Sequence, residues 1–301
     1  MNCKNWLAKN NLASSIRLGL FARRILKGVG KMTLEMIKGK RLLEGKKIIV
    51  TGGAGGIGAP TVEEYVLQGA IVTSIDIKPE EGEKFAAEAN AKGPGKVTYV
   101  NFDLTKFDEL EAVFAKAKAD MGGLDAVVHT AAKMQSMRPA IQYTLEDIDF
   151  IFDNDMKETI VVDQAACRLM QEYNTGVIVN FGSETGLHGS PNDGLYSSAK
   201  AGVATWTRVI ASEWGHAYNI RCNTVLPTMK SPMYKAYVAG MDPDKREAFL
   251  ESRRAKHPIK GDMGDPEVDI VGLMVFLVCD MSQYITGQLF AVNGGNTMVR
   301  G

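Results

Sequence analysis

The chain has 301 residues, and 45% of them are hydrophobic, enough for a well-buried core. Its 35 basic and 35 acidic residues cancel, which removes the overall electrostatic bias of a nucleic-acid-binding or membrane-surface protein. The four cysteines, Cys3, Cys167, Cys222 and Cys279, form no CxxC pair and have no histidine partner nearby, so the expectation is no metal site, no disulfide framework and a reducing, cytoplasmic setting.

Residues 1-44 stand apart from the rest. Acidic residues are almost missing there, with Glu35 and Glu44 facing many lysines and arginines. Leu12, Ile16 and Leu20 make an i, i+4 stripe among Arg17, Arg23, Arg24 and Lys27, which predicts a basic amphipathic helix. It packs on its own or a neighbouring subunit, lies on a membrane surface, or serves as a targeting peptide. No apolar run reaches the roughly 18 residues of a membrane span, and the start lacks the apolar stretch of a secretory signal.

From residue 45 to 301 short β-branched runs alternate with longer helical patterns, as in βα units on a parallel sheet. The predicted strands are KIIVT, AIVTSID, VTYVNFD, LDAVVHT, GVIVNFG, IRCNTVL and GQLFAV. Nearly continuous apolar runs of this kind imply helices on both faces. Between them FDELEAVFAKAKADM, VVDQAACRLMQEY and LYSSAKAGVATWTRVIASEWGHA carry apolar residues at helical spacing. The fold class expected is α/β, with a mostly parallel, doubly wound sheet of seven strands. A stretch from about 229 to 266 interrupts the rhythm.

Directly after the first strand comes TGGAGGIG, Thr51 to Gly58, leading into a helix. Glycines at that junction allow a tight turn and let backbone N–H groups approach a pyrophosphate, which the helix N-terminus favours electrostatically. Asp76 closes the second strand, where a carboxylate accepts from ribose hydroxyls and repels a 2′-phosphate, so NAD is favoured over NADP. Lys78 pulls the other way. Asp103 ends the third strand and is positioned for an adenine amine. Further on, YSSAK places Tyr196 and Lys200 on one helix face, about 5–6 Å apart at Cβ.

The TGxxxGxG and YxxxK motifs, with Ser183 upstream of the tyrosine, resemble the short-chain dehydrogenase/reductase family. RCNTVLP and YITGQLFAVNGG resemble that family's later strand and closing turn, so the likeness runs from about Lys46 onward. It implies a Rossmann fold with strand order 3-2-1-4-5-6-7, a homotetramer, and hydride exchange between a nicotinamide and a carbonyl or alcohol carbon. In that scheme Tyr196 gives or takes the proton, Ser183 holds the same oxygen, and Lys200 binds the nicotinamide ribose and lowers the tyrosine pKa. The resemblance assigns cofactor contacts to Gly52, Gly56, Ile57, Gly58, Asp76, Asp103, Leu104, Thr130, Ala131, Tyr196, Lys200, Pro227, Met229 and Ser231.

Three places depart from the family pattern. HTAA, His129 to Ala132, stands for its Asn-Asn-Ala-Gly, with His129 read as a hydrogen-bonding strand-end residue. FDNDMKE puts Asp155, with Asn154 one position away, at its active-site asparagine. LPT replaces its Pro-Gly, with Thr228 at the glycine. The interrupting stretch coincides with the family's substrate loop and offers Met229, Met233, Tyr234, Tyr237, Val238 and Met241, with Leu187 nearby. With no arginine to clamp a carboxylate or phosphate, a bulky apolar ketone or alcohol is the substrate expected, a hydroxysteroid above all, in likeness to bacterial 20β-hydroxysteroid dehydrogenases. A non-catalytic NAD-binding regulator and a 3-oxoacyl-type reductase are the alternatives.

Overall fold

The computed structural model describes residues 40–134 and 137–298, without the side chains of Met233, Ala236 and Tyr237. The predicted N-terminal helix therefore lies outside the described residues. Of that extension, Leu43 is buried and its amide donates to the Gln68 carbonyl.

Seven strands form one sheet: β1 Lys47–Thr51, β2 Ile71–Asp76, β3 Lys96–Asn101, β4 Ala126–His129, β5 Gly176–Phe181, β6 Ile220–Pro227 and β7 Leu289–Val292. Their order is β3-β2-β1-β4-β5-β6-β7, and every pairing is parallel rather than mostly so. Alternate residues supply the two faces, as the two-residue period of a strand demands. On β1, Ile48 and Val50 join one core while Ile49 joins the other. On β5, Val177 and Val179 face the first and Ile178 the second.

Helices α1 Gly58–Leu67, α2 Pro79–Asn90 and α10 Val271–Val278 cover the first face through Tyr65, Ala86 and Met274. Helices α3 Phe107–Met121, α5 Glu158–Met170 and α7 Gly194–Tyr218 cover the second through Phe114, Val162 and Ile210. Local signals fix their ends. Gly122 (φ 73°) and Asn219 (φ 54°) take the left-handed conformation that stops α3 and α7. A capping box between Thr144 and Asp147 starts α4, Leu145–Ile151.

A buried polar knot joins the second layer to the sheet. The Asp163 carboxylate of α5 accepts from Asn180 Nδ2 at 2.8 Å and Trp206 Nε1 at 2.9 Å. Burial pushes its pKa up to about 7, against the opposing pull of those two donors. The folded carboxyl thus keeps a proton that the unfolded one releases near pH 4. Stability is fully present below that value and is lost as pH rises through 7. Asp163→Asn, which preserves both contacts, does not titrate. The stability of the native protein relative to this variant should fall by about 1 kcal/mol per pH unit from pH 5 to 7 and flatten above 8. Urea unfolding across that range measures it; a pH-independent difference contradicts it.

The interrupting segment holds α8, Pro232–Ala239, and α9, Pro243–Lys256, the latter capped by Asp242 and opened by Pro243. Its two ends are joined by backbone bonds from Lys230 N to Gly264 O (2.8 Å) and from Gly264 N to Thr228 O (3.0 Å).

Candidate active site

The winding of the sheet reverses between β1 and β4, and the carboxyl ends of these strands open a crevice there. Its walls include Gly52, Gly55, Gly56, Ile57, Asp76, Asp103, Leu104, Thr130, Ala131, Lys133, Asn154 and Glu158. Two glycines are required by close approach. A side chain on Gly52 (φ 68°) would start 2.7 Å from the Ala131 amide nitrogen, and one on Gly58 would start 2.1 Å from the Gly52 carbonyl oxygen. The loop is thereby drawn tight against β4, with the start of α1 at its end. Thr130 ties the two sides, its hydroxyl donating to the Thr51 carbonyl at 2.7 Å.

Asp76 is anchored by the amides of Ala54 (3.0 Å) and Ile77 (2.7 Å), which hold its carboxylate beside the glycine loop. The Lys78 ammonium lies 3.4 Å from where a side chain on Gly55 would begin. Asp103 turns toward Thr105, and this bond holds its carboxyl below the usual range. A dinucleotide fits this cradle: a tight glycine turn, a helix N-terminus and a carboxylate at the second strand's end are what its pyrophosphate and ribose need.

The proton-handling groups meet close to Glu158, which lines that crevice. Ser183, just past β5, lies near the Tyr196 phenol and draws its pKa down slightly. One turn along α7, the Lys200 ammonium sits 5.5 Å from the centre of the Tyr196 ring. Lys200 is 2% exposed and pairs with Asp155, 0% exposed, at 2.7 Å. Asp155 arrives there because the chain between α4 and α5 winds as a wide π-helical turn, Phe152–Lys157, which buries both Asn154 and Asp155.

The charges balance in an informative way. Burial is the largest influence on Lys200 and opposes its charge, yet Asp155, Tyr196 and Glu158 together outweigh burial and hold the lysine pKa above its ordinary value. The Tyr196 phenol is expected to be lowered, but in the protein alone it is raised. Burial dominates, Asp155 and Asp193 add to it, and Lys200 offsets them only in part. The ammonium's pull is largely spent on its own carboxylate.

Three further residues expected at the cofactor lie at and after the end of β6. Pro227 ends β6, Met229 is buried against Gly264 in the first core, and Ser231 caps α8 by accepting from the Tyr234 amide at 3.2 Å. Of the predicted substrate-loop residues, Met233 and Tyr237 lie outside the described side chains, Tyr234 packs against Phe249, and Leu187 is 40% exposed on the short helix α6, Thr185–His188.

Glu158 and Lys133 were not among the residues expected here. Glu158 shares the inward face of α5 with Val162, and the i, i+4 spacing of a carboxylate with an apolar residue was the available signal. His129, at the end of β4, is buried, with Nδ1 2.7 Å from the Thr51 hydroxyl. Among the described residues no cluster of His, Cys, Asp and Glu could hold a metal ion, and no helix is long and apolar enough to cross a membrane.

A family model described as enoyl-(acyl carrier protein) reductase matches residues 52–297. The 2,5-dichloro-2,5-cyclohexadiene-1,4-diol dehydrogenase of Sphingobium indicum is 34% identical over 262 residues, covering 85% of this chain and 99% of that protein. The 7alpha-hydroxysteroid dehydrogenase of Bacteroides fragilis is 31% identical over 258 residues, covering 85% and 95%. The structure of NAD+-bound xylitol dehydrogenase superposes with a TM-score of 0.77 at 25% identity, covering 84% of this chain and 99% of that one.

Proposed function

The chain belongs to the short-chain dehydrogenase/reductase family and is an oxidoreductase of alcohol and ketone carbons that uses a nicotinamide dinucleotide; on that premise we propose that it interconverts an alicyclic secondary alcohol and its ketone with NAD(H). The observation that carries the reading is the grouping of Ser183, Tyr196 and Lys200 with Asp155, whose neighbour Asn154 lines the crevice that the glycine loop opens. Bound there, the nicotinamide supplies or accepts the hydride.

The chain's own residues handle the oxygen and its proton. Ser183 and Tyr196 both reach the substrate oxygen, and in ketone reduction the phenol O–H breaks as the alcohol O–H forms. Lys200 keeps a positive charge beside the resulting phenolate, and Asp155 keeps that charge in place. A general acid so placed contributes about 10²–10⁴-fold.

Asp76 supports NAD, because a carboxylate held beside the glycine loop at the end of the second strand accepts from ribose hydroxyls and repels a 2′-phosphate. Leu187, exposed beside Ser183, supports an apolar substrate. The names of the Sphingobium and Bacteroides relatives both denote ring alcohols, which supports an alicyclic one, with a hydroxysteroid as the leading example. The assembly proposed is a homotetramer, measurable by light scattering.

Oxidation of NADH and NADPH against ketosteroids, cyclohexanones and 3-oxoacyl thioesters tests the reading. The expected result is turnover of a ring ketone with NADH preferred, and a narrowed preference in Asp76→Ala. Activity confined to 3-oxoacyl thioesters with NADPH would replace it with the acyl-carrier alternative.

A further inference from the structure

Behind the tyrosine and lysine lies a second ionisable group to which the chemistry above gives no part. Glu158, 5% exposed, forms part of the crevice wall. Its Oε1 is 3.7 Å from Nε2 of His129, itself 2% exposed, and neither atom has a hydrogen-bond partner among the described residues. The groups that face Glu158 are His129 from β4, Lys133 from the loop after it, Asp103 beyond β3, Lys200 from α7 and Asp155 from the preceding turn.

Proton counting decides how these two atoms are satisfied. Burial, and after it the charge of Lys200, holds the His129 pKa down to about 3, so the ring is neutral and carries a single N–H. With that N–H directed at Thr51, Nε2 is a lone pair that needs a donor, and Glu158 is a donor only as the carboxylic acid. The opposite tautomer, facing an ionised Glu158, would set two buried carboxylates against one buried ammonium, Lys200, with Lys133 a weaker influence on Glu158. Burial, followed by the charge of Asp155, raises the Glu158 pKa to about 8, which agrees with the acid form at neutral pH. A small rotation closes the 3.7 Å gap to a hydrogen bond.

We propose that the proton held between Glu158 and His129 sets the proton affinity of Tyr196, with Glu158 a positioning residue that acts through Asp155 and Lys200. While it is present, Asp155 is the only ionised partner of Lys200, and the ammonium keeps its remaining pull on the phenol. When the Glu158 O–H breaks and its proton passes to water in the crevice, a second carboxylate competes for the field of Lys200 and the phenol holds its proton more tightly. Alcohol oxidation, which needs the phenolate, is thereby curbed in alkaline solution, while ketone reduction is not. The inference rests on Tyr196 and Lys200 being the acid–base pair of the proposed function.

Tyrosinate absorbance, titrated on the full chain with Tyr196→Phe subtracted to isolate Tyr196, tests this without any substrate. Glu158→Gln should ionise Tyr196 at lower pH than the native protein, with about tenfold more phenolate at pH 9 and no difference at pH 7 or below. Glu158→Asp, which keeps an ionisable group, should return toward native behaviour. The infrared difference between native protein and Glu158→Gln should contain a protonated-carboxyl band that disappears as pH passes about 8; Glu158→Ala serves where the amide variant does not fold. An unchanged Tyr196 midpoint, equal shifts in the Gln and Asp variants, or no such band overturns the proposal. Ketone reduction by Tyr196→Phe at the native rate would instead sink the functional reading, whatever the titration gives.

Discussion

Tyr196→Phe should lower ketone reduction by roughly 10²–10⁴-fold and leave cofactor binding within about twofold of the native protein. The substitution removes one oxygen. The ring keeps its place one turn from Lys200 on α7, and the Lys200–Asp155 pair, which does not depend on the phenol, stays closed at 2.7 Å. Ser183 keeps its contact with Thr185, whose hydroxyl is 3.1 Å away. The oxygen of the substrate would therefore still be met by one hydroxyl, with no acid able to complete the transfer. Steady-state rates and fluorescence titration with NADH separate the two effects. Undiminished turnover would move the proton donor elsewhere; lost cofactor binding would make Tyr196 a structural residue.

Lys200→Met should cost about 3–5 kcal/mol of stability as well as activity, because it strands a fully buried carboxylate. Asp155 already has its pKa raised by burial, with Lys200 as the chief opposing influence, so removing the ammonium raises it further. A raised carboxyl stabilises the fold below its unfolded value near 4 and ceases to as pH climbs through the folded one. The variant should accordingly be closest to native stability in acid and fall away toward neutrality. Adding Asp155→Asn should recover most of the loss, since neither charge is then left buried without its partner. A double variant no more stable than Lys200→Met alone contradicts this account. Urea unfolding of the single and double variants at pH 5 and pH 7 is the measurement.

Much of this architecture was legible because the signals were local. The runs at Lys47–Thr51 and Gly176–Phe181 are apolar and bounded by turns, and the structure buries them between two layers. Gly52 and Gly58, at the two ends of the loop from β1 to α1, sit where a side chain would collide with neighbouring backbone. What stayed hidden depended on three-dimensional charge balance. Nothing in the spelling of FDNDMKE announces a π-helical turn, and without it Asn154 and Asp155 could not both face inward. The raised phenol of Tyr196 was likewise invisible, because a motif reports that a lysine is close but not that an aspartate has already claimed it. A methionine beside a loop packs inward as readily as toward a ligand, and Met229 is buried where Gly264 leaves it the room.

The paired backbone bonds joining Thr228, Lys230 and Gly264 reach beyond stability. They bring the two ends of the interrupting segment together at its root, so what lies between can lengthen, shorten or change composition without altering the register of β6 and β7. Helices α8 and α9 thus form an exchangeable module on a fixed chassis. Grafting the corresponding stretch of a relative between Thr228 and Gly264 should therefore leave the sheet and the proton-handling residues in place, and the substrates the hybrid accepts would report whether the module governs selectivity.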